Sequence, residues 1–417
     1  MSLDVSFDIK NIICLYFYNL KDTINLYNLD KDHQDNIRII NLYDIEFNYK
    51  NKLSQQIIEQ NKYKYVEKLD ANNNKKIKNI NHIKNTLKIL NCESNSGIDQ
   101  KGISKLNLIK LCACDNNKIE NINYMKNTLK ILDCSHDNRI DQKGILELNL
   151  IELDSTKNTK IENVNHMKKT LKILICGYSS GIHQNGISEL NLIELYVTSN
   201  EKIQNVNHME KTLKILYCGY GSGIDQNGIS ELNLIELYVT SNDKIQNVNH
   251  MKNTLKILDC SYGSGINQNG IAQLNLIKLY ANGNKRIKSA NHMKNTLKIL
   301  YCGYKSGINQ NGISELNLTE LNTNGNKKIK NVNYMKKTLK ILSCGYNSTI
   351  DQEGISELNL IELNVDENEK IQNVNYMKRT LKILSCSYSC GIDQKGIAEL
   401  NLIELFAHGN NKININK

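Results

Sequence analysis

The chain has 417 residues, more than a usual single domain, with no proline and no tryptophan; its 53 basic and 43 acidic side chains leave a formal charge of only +10. Interspersed charge of this kind describes a solvated surface rather than a nucleic-acid face, so no nucleic-acid partner is expected. No run approaches 18 consecutive apolar residues, which argues against a transmembrane helix and any membrane partner, and the Asn-, Lys- and Ile-rich composition fits an AT-rich coding sequence.

Met1–Asp8 has neither the basic nor the apolar region of a secretory signal, so a cytoplasmic location is expected. Residues 1–45 carry no repeat. Ile9, Ile12, Ile13, Tyr16 and Leu20 follow helical spacing on one face. Asp22 offers an N-cap for a short helix carrying Ile24 and Leu26, and a third helical segment is expected from about Asp32 to Leu42. The run from Asp8 to Leu26, with its paired isoleucines and Leu-x-Asp turn, resembles the start of an F-box. It departs from that motif at Ser6, where proline is usual, and near His33, where tryptophan is common. The resemblance implies that Ile9, Ile12, Ile13, Leu20 and Leu26 contact a ubiquitin-ligase adaptor. The residues alone fit a second role equally, three amphipathic helices that cap the first turn of a solenoid. Residues 46–64, with Leu53, Ile57 and Tyr63, are expected to form a connecting or capping helix.

From Tyr65 to Lys417 two 21-residue units alternate without insertion or deletion, the last one truncated. Thr86, Thr128, Thr170, Thr212, Thr254, Thr296, Thr338 and Thr380 open one type. Asn107, Asn149, Asn191, Asn233, Asn275, Asn317, Asn359 and Asn401 open the other. Such a period predicts a solenoid. The alternation Leu-x-Cys or Leu-x-Ala/Val predicts a short strand with inward apolar side chains, and the strands should pair in parallel. Ile271 with Leu274, and Ile245, Val248 and Met251, have the spacing of a helical or 3₁₀ turn on the opposite side.

The Asn-type unit, for instance Leu276, Leu279, Ala281, Asn284 and Ile287, resembles the leucine-rich repeat. The Thr-type unit, with cysteine at the third apolar site and an Ile-x-Gln-x-Gly-Ile continuation, is similar to the cysteine-containing repeats found behind many F-boxes. The resemblance implies an α/β leucine-rich-repeat solenoid, with a curved parallel sheet on the concave face and short helical or 3₁₀ segments on the convex face. It also implies a protein target on the concave face. F-box and leucine-rich-repeat chains of this composition resemble the expanded repeat families of giant DNA viruses, which would place the protein in a host cytoplasm.

Asn74, Asn116, Asn158, Asn200, Asn242, Asn284, Asn326, Asn368 and Asn410 recur at one position, where the strand must turn. A carboxamide donates and accepts at once, so a structural ladder is expected there. Cys92, Cys134, Cys176, Cys218, Cys260, Cys302, Cys344 and Cys386 also share one position. Successive ones stand two strands apart, about 9–10 Å, too far for disulfides. They read as buried packing residues in a reducing compartment. Cys112 and Cys114 are expected to point together to the concave face. Gly181, Gly223, Gly265 and Gly307 are expected to permit a turn. His82, His166, His208, His250 and His292 share a position with Tyr124, Tyr334 and Tyr376, an exchange that a metal ligand would not tolerate.

No phosphate-binding loop, zinc-protease motif or nucleophile elbow is present, so neither catalysis, a cofactor nor a metal is expected. The informative positions lie between the inward ones. Tyr196, Tyr217, Tyr238, Asp259, Tyr280 and Tyr301 occupy one outward position in consecutive units, and Tyr178, Tyr220, Tyr262 and Tyr304 a second. Glu194 and Glu236 alternate with isoleucines beside them. Tyrosine suits interfaces because a large apolar ring carries a polar tip. The same tyrosines could instead stack along the ladder for stability alone. Three functions are compatible with these residues: a substrate receptor of a cullin-type ubiquitin ligase, a scaffold or decoy without that link, or an RNA surface on lysines such as Lys172, Lys214 and Lys256.

Overall fold

The computed structural model of the chain describes residues 39–43 and 52–414. The chain divides into two compact units, Met1–Ile203 and Gln204–Lys417. The five candidate adaptor-contacting residues, Ile9 to Leu26, lie outside the described residues.

The first unit carries strands β1 (Asn41–Leu42), β2 (Lys68–Asp70), β3 (Ile89–Asn91), β4 (Lys110–Cys112), β5 (Ile131–Asp133), β6 (Glu152–Asp154), β7 (Ile173–Ile175) and β8 (Glu194–Tyr196). Each pairs in parallel with the next, central leucine opposite central leucine. The second unit repeats the scheme with β9 (Ile215–Tyr217), β10 (Glu236–Tyr238), β11 (Ile257–Asp259), β12 (Lys278–Tyr280), β13 (Ile299–Tyr301), β14 (Glu320–Asn322), β15 (Ile341–Ser343), β16 (Glu362–Asn364), β17 (Ile383–Ser385) and β18 (Glu404–Phe406).

A strand of three residues has one inward position, and leucine fills it: Leu132, Leu174, Leu258 and Leu300 are buried. The next inward position takes cysteine, alanine, valine, serine or threonine, because the chain turns there and leaves room for a small side chain only. Behind the sheet, Asn-type units make single 3₁₀ turns such as Asn249–Met251, whose Met251 is buried with Val248. Thr-type units make a comparable turn, Asn269–Ile271 or, as a four-residue α-turn, Gln352–Ile355. An acidic or amide side chain caps it: Asp351 accepts the Gly354 N–H at 2.9 Å and Asn267 that of Gly270 at 3.1 Å.

The glycines correct one expectation. Gly181, Gly265 and Gly307 are absent from the left-handed region, where the glycines are Gly221, Gly263, Gly283, Gly325 and Gly409. At Gly265 a Cβ would instead lie 2.3 Å from the Asp243 carbonyl oxygen and 2.6 Å from that of Ile245. Close backbone approach between neighbouring turns, not turn geometry, requires glycine there.

The start of the solenoid also differs from the reading of the sequence. Asn41 and Leu42, read as the end of a third helical segment, instead form strand β1, which pairs with β2; residues 32–38 of that segment lie outside the described residues. Of the expected helix at 46–64, the described residues 52–64 hold a short α-turn, Gln55–Ile58, and a 3₁₀ turn, Asn61–Tyr63. The Gln55 side chain donates to the Asn79 carbonyl at 2.7 Å and accepts the Lys78 and Asn79 N–H groups at 2.9 and 3.0 Å. Gln100 makes the same bonds to Glu120 and Asn121. The repeat geometry therefore begins before Tyr65, with Leu53, Ile58, Tyr63 and Val66 buried in it.

Candidate functional site

Three columns inside the repeats are occupied by the fold itself. In the asparagine ladder, Asn284 donates through Nδ2 to the Cys260 and Ile266 carbonyls at 2.9 and 3.1 Å, and its Oδ1 accepts the Arg286 N–H at 2.9 Å. Asn116, Asn158, Asn200, Asn242, Asn326, Asn368 and Asn410 use the same donors toward the preceding cysteine and isoleucine carbonyls, whereas Asn74 donates to Leu53. The eight ladder cysteines are fully buried, and burial pushes the Cys302 thiol up to about 12.

The histidine column is a bonding position rather than a plain outer surface. His166, His250 and His292 place Nε2 at 3.2, 3.0 and 2.9 Å from the carbonyls of Ile145, Ile229 and Ile271. A carbonyl only accepts, so Nε2 carries the proton. Tyr124 and Tyr376 donate a hydroxyl to the equivalent carbonyls of Ile103 and Ile355, both at 2.8 Å, which explains the exchange of histidine for tyrosine.

Burial holds His166, His250 and His292 below the usual histidine range, partly offset by these bonds. A base with a lowered folded pKa contributes stability that is present above its unfolded value, about 6.5, and is lost as pH falls through the folded value. The triple variant His166→Tyr/His250→Tyr/His292→Tyr keeps the bond and removes the titration. Its melting temperature should fall less between pH 7.5 and pH 5.5 than that of the wild type; parallel curves would refute this account.

Cys112 and Cys114 alternate with the inward Leu111 and Ala113, as expected for one face, but differ in how far they are covered. Cys112 ends β4 and is buried, with Tyr43 against its thiol. Cys114 lies beyond the strand with Sγ 3.4 Å from His136 Nδ1. Burial raises both thiols, Cys112 to about 11, with Asp133 and Glu93 adding to the rise in each, so neither is an activated nucleophile. Among the described residues no three His, Cys, Asp or Glu side chains converge as metal ligands.

The outward strand positions are the surface that the fold leaves over. In the first unit Tyr196 donates its hydroxyl to Glu194 at 3.0 Å, and Tyr178 sits in the turn beyond β7. In the second unit Tyr217 and Tyr238 stack face to face, centroids 3.9 Å apart and planes 4° from parallel. Tyr238 donates to Glu236 at 2.7 Å. Tyr280 and Tyr301 form a second pair, centroids 4.9 Å apart and tilted by 50°, and Tyr301 donates to Glu320. Asp259 separates the two pairs, register-matched to Tyr238 on one side and Tyr280 on the other. Burial, then the bonded carboxylates, hold the Tyr238 and Tyr301 hydroxyls well above the usual phenol range, so they remain protonated donors. From β14 to β17 the column is polar, with Asn322, Ser343, Asn364 and Ser385, and β18 ends it with the exposed Phe406.

The second tyrosine column differs in kind. Tyr220, Tyr262 and Tyr304 are 71%, 49% and 56% exposed, against half-buried rings in the strands. Tyr178, Tyr262 and Tyr304 also adopt φ of 49°, 42° and 25°, a region that bulky side chains avoid. Backbone bonds that prolong the ladder hold them there, Tyr262 N–H to Asn282 at 2.7 Å and Tyr178 N–H to Thr198 at 2.8 Å. Sequence reasoning had no signal for this conformation, because nothing in the side chain requests it. The lysines proposed as an RNA row, Lys172, Lys214 and Lys256, stand just before the strands, and their carbonyls each accept the N–H of the first residue of the next strand and of the isoleucine before it.

No protein-family model matches the sequence, and no curated protein matches it. Solved structures with a similar backbone include the Rad7–Elc1 complex in yeast, 15% identical over 87% of this chain and 92% of that one, with a TM-score of 0.42. The functional domain of InlJ from Listeria monocytogenes, which includes a cysteine ladder, is 21% identical over 81% of this chain and 66% of that one, with a TM-score of 0.36. The TLR13–ssRNA13 complex is 18% identical over 86% and 63%, with a TM-score of 0.45. The parallel strands, one central leucine per strand, the asparagine ladder and the short helical turns make the fold an α/β leucine-rich-repeat solenoid.

Proposed function

We propose that the chain is a protein-recognition solenoid whose docking surface is the sheet face of the second unit. The observation that carries this reading is the aromatic column of β9, β10, β12 and β13. The fold uses every inward position and both ladders for itself, yet places four rings on the outward side, oriented by bonds to Glu236 and Glu320. Large rings with fixed orientation gain contact area at small entropic cost. Replacing Tyr238, Tyr280 and Tyr301 together by alanine should reduce capture of a protein partner at least tenfold while circular dichroism and the melting temperature stay close to wild type. Undiminished capture by a folded triple variant would show that the rings serve stability alone.

The resemblance of residues 8–26 to an F-box extends the proposal to a substrate receptor of a cullin-type ubiquitin ligase in the cytoplasm. Aspartate at Ile12 and Ile13 in the full chain should abolish adaptor binding and spare the partner bound by the sheet. Adaptor binding that survives these changes, or is absent from the wild type, would leave a scaffold without a ligase link.

A further inference from the structure

We propose that the gap over Asp259, between the tyrosine pairs, is an anchor site for an arginine side chain of the protein partner. This rests on the sheet face of the second unit being the docking surface. Tyr217 covers one face of the Tyr238 ring in a parallel stack between adjacent strands. The opposite face of Tyr238 is therefore turned toward β11, where its register partner is Asp259. On the far side Tyr280 leans against Tyr301 and borders Asp259 in the same way. A short aspartate within the tyrosine run from β8 to β13 leaves a gap between two rings whose strands lie two apart, about 9–10 Å. That spacing leaves room for one planar group against the face of either ring, with the Asp259 carboxylate beside it.

The electrostatics select the occupant. Along β9 to β14 the outward positions hold Glu236, Asp259 and Glu320 against a single base, Lys278. Lys256 precedes its strand and stands three residues from Asp259, about 10 Å along the chain. Burial, then Glu320, Asp259 and Glu236, raise the Tyr280 hydroxyl above its ordinary value, so the three carboxylates act on this slot together. The chain as a whole carries +10, so this acidic and aromatic stretch of the sheet contrasts with the net charge of the molecule and is complementary to a basic group of a partner. Hydroxyls that donate to carboxylates enrich the rings of Tyr238 and Tyr301, which favours a cation at their faces. A guanidinium fits better than an ammonium, because it is flat enough to lie between rings and its fork matches a carboxylate.

Asp259 also accepts the Ser261 N–H at 3.0 Å, and asparagine already fills the equivalent position at Asn322 and Asn364. Asp259→Asn therefore preserves the turn and removes only the charge. The probe is N-acetyl-arginine methylamide, titrated into protein with labelled tyrosine rings, with N-acetyl-citrulline methylamide as the uncharged isostere. The Tyr238 and Tyr280 ring signals, assigned through Tyr→Phe variants, should shift saturably with the arginine compound. Its affinity should exceed that of the citrulline compound by at least about fivefold, and Asp259→Asn should erase the difference. Equal response to both compounds, an unchanged preference in Asp259→Asn, or tighter binding of N-acetyl-lysine methylamide, titrated in the same way, would each overturn the assignment. Loss of partner capture in the triple tyrosine variant together with such a result would sink the arginine anchor alone. Retained capture in that variant would sink the docking surface itself.

Discussion

Leu258→Ala is expected to destabilise the second unit by about 2–5 kcal/mol, the largest effect of any single truncation proposed for this chain. Leu258 is fully buried and stands in register with Leu237 on one side and Leu279 on the other. Its loss leaves a cavity that the neighbours cannot close, because both flanking strands are held by ladder bonds and by the turns behind them. Ile257→Ala, one residue away and outward, should cost less than about 1 kcal/mol. Urea unfolding of the two variants checks the contrast, and equal midpoints would contradict the assignment of inward and outward positions. A repeat array transmits such damage mainly to nearest neighbours, so hydrogen exchange should rise in β10–β12 before β16–β18.

Asn242→Ala is expected to cost about 1–3 kcal/mol. The side chain donates to the Cys218 and Ile224 carbonyls at 2.7 and 3.1 Å and accepts the Lys244 N–H at 3.0 Å. Alanine removes one partner from two buried carbonyls and from the part-buried Lys244 N–H. Asn242→Asp keeps the acceptor but turns two donors into a carboxylate facing two carbonyl oxygens, and at neutral pH should destabilise at least as much. Accelerated exchange of the Lys244 amide in both variants is the local signature. A melting curve unchanged from wild type would show that the ladder is decoration rather than support.

Much of the molecule was legible because the physics repeats. A leucine every 21 residues, each followed two residues on by a small side chain, leaves one way to bury a three-residue strand, and the strands, inward columns and asparagine turns result from it. The same logic exposes the outward columns as positions that architecture does not determine. Legibility fails where geometry is conserved and side chains are not. Asn41–Leu42 and Gln55 take repeat positions at a spacing longer than the repeat, so no periodicity marks them. The glycines at Gly265 and Gly307 looked like turn residues because a one-dimensional pattern does not show which carbonyl lies across the gap. The histidine and tyrosine exchange argued from sequence against metal ligation at this column, but the shared carbonyl acceptor emerged only from the packed turns.

The sequence by itself determined the solenoid, its register and which side chains face outward, since strand period and repeat period together admit a single inward set. Only the tertiary structure decided what the outward tyrosines do next to each other. Stacking, tilt and hydroxyl bonding depend on ring orientation across neighbouring strands, and that is a relation between residues 21 or more positions apart in the chain. It is also there that Asp259, which the sequence shows only as a break in the run of tyrosines from β8 to β13, stands in register between the two ring pairs.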